Sequence, residues 1–133
     1  MGIAVTSGVL ATLCEEAKRA APAECCGLLL GRDECISQAR PAANVSPEPL
    51  THFEIDPVCL LSAHKAAREG GLEVIGYYHS HPEGHPVPSA TDCEHASGDG
   101  RVWAIVAAGE VTFWRDAVGQ FMQLAVAVAA TDP

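Results

Sequence analysis

The chain has 133 residues, 48% apolar and 19% charged, which suits one globular domain over residues 1–133 and excludes a disordered chain. Its formal charge of −9 and pI near 4.9 exclude a nucleic-acid partner, because neutralising phosphates takes clustered Lys and Arg and the eight present are scattered. An anionic membrane surface is disfavoured on the same grounds. Cys14, Cys25, Cys26, Cys35, Cys59 and Cys93 lack CxxC spacing, so a four-cysteine zinc knuckle is unsupported. Met1–Ser7 shows no basic, apolar leader, and a cytoplasmic protein is expected, with its thiols reduced and buried in the core.

In chain order, Ser7–Ala21 carries a helical stripe of Val9, Leu10, Leu13, Cys14 and Ala17, with Ser7 as the candidate cap and Pro22 as the stop. Cys25–Gly31 is an apolar run bounded by turn residues, expected as a buried strand with Cys35–Ala42 as its hairpin partner. Ala43–Leu50 reads as a loop and His52–Ile55 as a short strand. Asp56 caps a second helix that has Pro57 in its first position and runs to about Glu69. Its inner stripe is drawn from Val58, Leu60, Leu61, His64 and Ala67, and Gly70-Gly71 ends it.

Leu72–His79 reads as a strand, Pro82–Pro88 as a turn-rich loop and Ser89–Ser97 as a short helix. Arg101–Ala108, Val111–Trp114 and Gln120–Val128 follow as strands, with turns at Gly109-Glu110 and Val118-Gly119. The apolar stretch Phe121–Ala130 is about half the length of a membrane-spanning helix and is expected as a buried strand or short helix. Short turns between the late strands make them antiparallel neighbours. The fold class is therefore α/β in the α+β sense, a mixed sheet with helices packed on it.

Chemistry concentrates between residues 79 and 92. His79 and His81, two apart on a strand, project to one face and can converge on one ion. The Pro- and Gly-rich loop lets the chain double back, so Asp92 can close the site from the next helix. Two histidines and a carboxylate are a ligand set for catalytic zinc, with water or substrate in the fourth position. The candidate general base is Glu24, at the edge of the buried strand, and the candidate oxyanion donor is Ser89. Ser89-x-x-Asp92 is also a capping-box pattern, and both roles are compatible.

His79-Ser80-His81, seven residues, Ser89, two residues and Asp92 resemble the H-[ST]-H-x7-S-x2-D motif of the JAMM (MPN+) metallopeptidases. Glu24-Cys25-Cys26-Gly27 is similar to the family's E-x-C-G segment. The resemblance implies a curved, largely antiparallel mixed sheet flanked by helices, with cytidine deaminase-like layering. It further implies one zinc on His79, His81 and Asp92, Glu24 as general base, and Ser89 assisting the transition state. Compact prokaryotic members imply a substrate class, ubiquitin-like sulfur-carrier proteins cut after a C-terminal Gly-Gly.

Other polar residues are assigned bland roles. His85, between Gly84 and Pro86, is expected to be exposed rather than a ligand, and His52, His64 and His95 to be ordinary helix or strand residues. Glu83 and Glu94 read as a solvated face, and Trp103 and Trp114 as packing residues. Two rival functions stand beside the carrier-directed peptidase. One is a cell-wall or phage-type peptidase, disfavoured without a fused module. The other is a non-catalytic MPN-type scaffold, disfavoured because scaffold relatives lose metal ligands.

Overall fold

Cys26–Arg32 (β2) shows how the sheet is built, because six of its seven residues are buried and its side chains alternate between two separate cores. Cys25 and Leu29 join one cluster with Ile3, Val5, Val9, Leu13 and Phe113, while Cys26, Leu28 and Leu30 join another with Ile55, Ala63 and Val74. A strand buried on both faces reads as an unbroken apolar run, as this one does. In the computed structural model, which describes residues 2–130, helices cover the two faces. Ser7–Ala20 (α1) supplies Val9 and Leu13 to the first core, and Pro57–Arg68 (α2) supplies Ala63 to the second.

The remaining strands are Gly2–Thr6 (β1), Cys35–Ala42 (β3), Glu73–Ser80 (β4), Val102–Ala107 (β5), Glu110–Ala117 (β6), Gln120–Gln123 (β7) and Ala125–Ala129 (β8), with Ala90–His95 (α3) after β4. Sheet order is β7-β6-β5-β4-β2-β3-β1-β8. β2 pairs antiparallel with β3 and β4, and β6 with β5 and β7, whereas β4–β5, β1–β3 and β1–β8 are parallel. β7 and β8 lie at opposite edges yet are separated by Leu124 alone, so the sheet curls enough to bring the adjoining ends of its edge strands together.

An irregularity in β4 sets the site. Leu29 pairs with Gly76 but Leu30 with Val74, so Ile75 is an extra residue, and such a bulge resets the alternation of side chains. Val74 faces the α2 core and Ile75 the α1 core. Beyond the bulge it is Tyr77 that faces α2 and Tyr78 that faces α1. His79 follows Tyr77 onto the α2 face. Gly76 is required here, since a Cβ would lie 1.7 Å from the Val102 carbonyl oxygen of β5.

Several expectations are corrected. β1 was not foreseen, and it places Thr6 rather than Ser7 at the cap position of α1. His52–Ile55 is not a strand; Ile55 forms only an isolated bridge with Asn44. On α2 the buried residue is Ala63, with Cys59 and Leu60 beside it, while Val58 and Leu61 are 71% and 70% exposed. The apolar residues of α2 fit more than one stripe, and the side that meets β4 decides. Gln120–Val128 is broken at Leu124 into two strands, and Val126 and Val128 of β8 are exposed rather than buried. All six cysteines are free thiols, Cys25 and Cys26 buried as expected but Cys93 exposed. No described helix is long and apolar enough to cross a membrane.

Candidate active site

Cys26 pairs with His79 across the antiparallel β2–β4 ladder, and two steps further along each chain Glu24 comes opposite His81. The extension is held by Ser80, whose N–H donates to the Cys25 carbonyl at 3.2 Å and whose Oγ accepts from the Cys25 N–H at 2.8 Å. Glu24, His79 and His81 therefore share the α2 face. Asp92 arrives from α3, whose start is fixed by a capping box. The Asp92 N–H donates to Ser89 Oγ and the Ser89 N–H to Asp92 Oδ2, both at 3.0 Å. The first of these uses a lone pair of Ser89 and leaves its hydroxyl proton for another acceptor.

His79 Nε2 lies 3.0 Å from Asp92 Oδ1, His81 Nε2 3.1 Å from Asp92 Oδ2, and the two Nε2 atoms 3.1 Å from each other. His81 Nδ1 is 2.7 Å from the His85 carbonyl oxygen, an acceptor, which puts the ring proton on Nδ1 and a lone pair on Nε2. In that tautomer His81 Nε2 and the two Asp92 oxygens are electron-pair donors, and His79 Nε2 joins them when its ring proton sits on Nδ1. Such atoms repel unless a cation stands among them, and the edge of a tetrahedral zinc site, with bonds of about 2.0–2.1 Å, is about 3.3 Å. The donor set fits zinc.

The rings are oriented by neighbours outside the triangle. Phe53 stacks on His79 at 4.3 Å and 15°, and Trp103 meets it edge-on at 5.7 Å. His79 Nδ1 has no hydrogen-bond partner, so outside the triangle only packing orients that ring. For His81 the acceptor is main chain, and the loop carrying it is tied down where Thr112 Oγ1 donates to the Pro86 carbonyl. Such supports hold the two rings in register.

Protonation follows from burial and partners. Burial raises the Glu24 carboxyl to about 7, with Asp92 adding to the rise and His81 opposing it. Burial also raises Asp92, but its interactions with His79 and His81 outweigh that, and the net shift is downward, toward the ionised carboxylate. Burial lowers His79 and keeps it neutral; for His81 burial acts downward too but is overcome by Asp92 and the His85 carbonyl. A neutral imidazole is the form that binds metal.

A cavity of about 420 Å³ opens beside this cluster, lined by both Glu24 and Asp92. All five residues singled out from sequence thus lie at one place, Ser89 through its bond to Asp92. His85 is exposed, and it contributes a carbonyl rather than its ring. Glu83 and Glu94 are exposed. His52 and His95 were read as ordinary, but both line the cavity, their rings 6.4 Å apart. Trp103 is packed as expected and lines the cavity as well. Phe53 escaped the sequence reading altogether, as did Asn44, because nothing local marks a loop residue that reaches a distant strand.

Residues 6–117 match the family of prokaryotic homologues of the JAB domain. A desampylase of Haloferax volcanii is 42% identical over 110 residues, 80% of this chain and 79% of the relative. A probable TtuB-protein conjugate cleaving protease of Thermus thermophilus is 45% identical over 78 residues, 59% of this chain and 52% of the relative. In three dimensions a protein from Desulfitobacterium hafniense superposes with a TM-score of 0.85 at 26% identity, over 96% of this chain and 93% of that one. The chain belongs to the prokaryotic JAB-domain family, the compact branch of the JAMM/MPN+ metallopeptidases, and is a hydrolase of the isopeptidase type.

Proposed function

We propose that this protein is a one-zinc isopeptidase that cuts the amide bond following the C-terminal Gly-Gly of a ubiquitin-like sulfur-carrier protein. The observation that carries the reading is the convergence of potential ligand atoms from His79, His81 and Asp92 beside a buried Glu24. These three residues would hold the ion. When bound, zinc lowers the pKa of water toward neutrality and polarises a carbonyl.

The protein's own groups supply the rest. Glu24, with its carboxyl near 7, accepts a proton from the attacking water and returns it to the leaving amine. Ser89 directs its free hydroxyl proton at the developing oxyanion, and its tie to Asp92 fixes that direction. The tail would lie extended in the cavity beside Glu24, where glycine alone lets backbone pass close to the ligands. Support for the substrate class comes from relatives named for desampylation and for cleavage of TtuB conjugates.

The test combines metal content with turnover. Zinc is measured by atomic absorption in the wild type, Glu24→Gln and His81→Ala, and each is assayed on a panel of Gly-Gly-tailed carrier fusions. The expected pattern is one zinc and cleavage for the wild type, zinc without cleavage for Glu24→Gln, and neither for His81→Ala. A wild type that takes up no zinc returns the scaffold alternative. One that binds zinc but cuts nothing on the panel removes the substrate and leaves the site.

A further inference from the structure

Asn44 uses every hydrogen-bonding position that a side-chain amide has. Its Nδ2 donates to the main-chain oxygens of Glu24 at 3.1 Å and His52 at 3.0 Å, and its Oδ1 accepts from the N–H groups of Ser46 at 3.1 Å and Glu54 at 3.0 Å. Three of these bonds stay within the loop 44–55 and close its neck, together with the Asn44–Ile55 bridge and the Val45 N–H to Glu54 carbonyl bond of 2.9 Å. The fourth leaves the loop for Glu24, twenty residues upstream. The Glu24 N–H also ends on this loop, donating to the Pro49 carbonyl at 2.8 Å.

Both main-chain polar groups of Glu24, its N–H and its carbonyl, are thus held by the loop rather than by the sheet. The consequence reaches the carboxylate. Among the described residues it has no hydrogen-bond partner of its own, so its place depends on its main chain and its packing. A glutamate has three rotatable bonds, and a small shift at its Cα is magnified at the carboxyl. The same loop presents Phe53 to His79. One amide therefore ties the segment that stacks on a ligand to the segment that carries the proton.

We propose that Asn44 is a positioning residue for the hydrolysis, fixing the Glu24 main chain so that the carboxylate stays beside His81 and Asp92. This rests on the reading of Glu24 as the proton carrier. A misplacement of about 1 Å in such a group can cost about 100-fold in rate. A loop-closing amide with no part in the reaction would act on stability instead.

Asn44→Asp separates the two. It is isosteric, keeps the acceptors for Ser46 and Glu54 that close the loop, and deletes both donors. The protein is loaded with zinc, and kcat, KM and zinc content are measured on a cleaved Gly-Gly-tailed fusion for Asn44→Asp, alone and combined with Glu24→Asp. The expected result is a kcat loss of about 10–100-fold with KM within about twofold and zinc content unchanged. In the Glu24→Asp background, where the carboxyl is already displaced, the further loss shrinks to under about threefold. Wild-type kcat in Asn44→Asp overturns the inference, and so does an equal loss in both backgrounds. If Glu24→Gln turns over like the wild type, the proton-carrier reading fails instead. Should Asn44→Asp not fold, Asn44→Ser, which cannot reach Glu24, is held to the same kcat, KM and zinc criteria below its melting temperature.

Discussion

Asp92 and Asp116 are both buried acids, 4% and 1% exposed, and they differ in what they face. Asp116 accepts from the N–H groups of Ser97 and Gly98, both at 3.1 Å, while its own main chain is paired with Gly100 and Arg101. Main-chain donors satisfy it, and it pins the loop between α3 and β5. Asp92 receives one such N–H, from Ser89, and turns both oxygens toward imidazole nitrogens, one of them shown by its tautomer to carry a lone pair. A buried carboxylate saturated by amides is a structural tie; one turned toward imidazole nitrogens is placed to share a cation with them, the role proposed for Asp92. Glu24 is a third kind, buried without a donor, and its raised pKa records that.

The sharpest way to break the contrast is to exchange the consequences. Glu24→Gln is expected to lower kcat/KM by about 100–10,000-fold while zinc stays bound, read by steady-state kinetics beside atomic absorption. Asp92→Asn should lower zinc affinity by at least about 10-fold, measured by competition with a chromophoric chelator. Asp116→Ala should do the reverse, costing about 2–3 kcal/mol in urea unfolding with zinc content intact. Loss of zinc from the Asp116 variant at temperatures where it is folded would erase the distinction.

A smaller effect separates Glu24 from both aspartates by pH. Its folded pKa, about 7, lies above the ordinary 4.5, so the folded state favours the protonated form. The associated stability is complete below about pH 4.5 and is lost as pH rises through about 7, by an amount on the order of 2 kcal/mol. Metal-free wild type should therefore lose stability between pH 5 and 8 relative to metal-free Glu24→Gln. Parallel curves for the two would show that burial does not perturb this carboxyl.

The sequence was most legible where spacing alone dictates geometry. Asp92 behind a serine cap and Asp56-Pro57 opening α2 are local patterns that the structure places as local rules demand, and of the His-x-His pair His79 lies in β4 while His81 falls one residue past its end. Glu24 was within reach because it stands at the edge of an apolar strand run and in a segment resembling E-x-C-G; that it comes opposite His81 is known only from the strand register. What stayed hidden depends on distant partners. β1 is a strand because it pairs with β8, more than a hundred residues away in sequence, and with β3. The outward side of α2 could not be told from its inward side while Val58, Leu61 and Ala63 all satisfied an apolar pattern. Asn44 lies in a stretch that reads only as loop, and its bond to Glu24 leaves no periodic trace.

The account stands or falls on whether Glu24 and the His79–His81–Asp92 triangle divide the work. The most direct measurement is cleavage of one Gly-Gly-linked carrier conjugate by wild type and Glu24→Gln, with zinc counted in the same preparations. Equal zinc, near one per chain, with turnover confined to the wild type is the predicted result. Equal turnover in both, or a Glu24→Gln protein that is inactive only because it has lost its zinc, would contradict it.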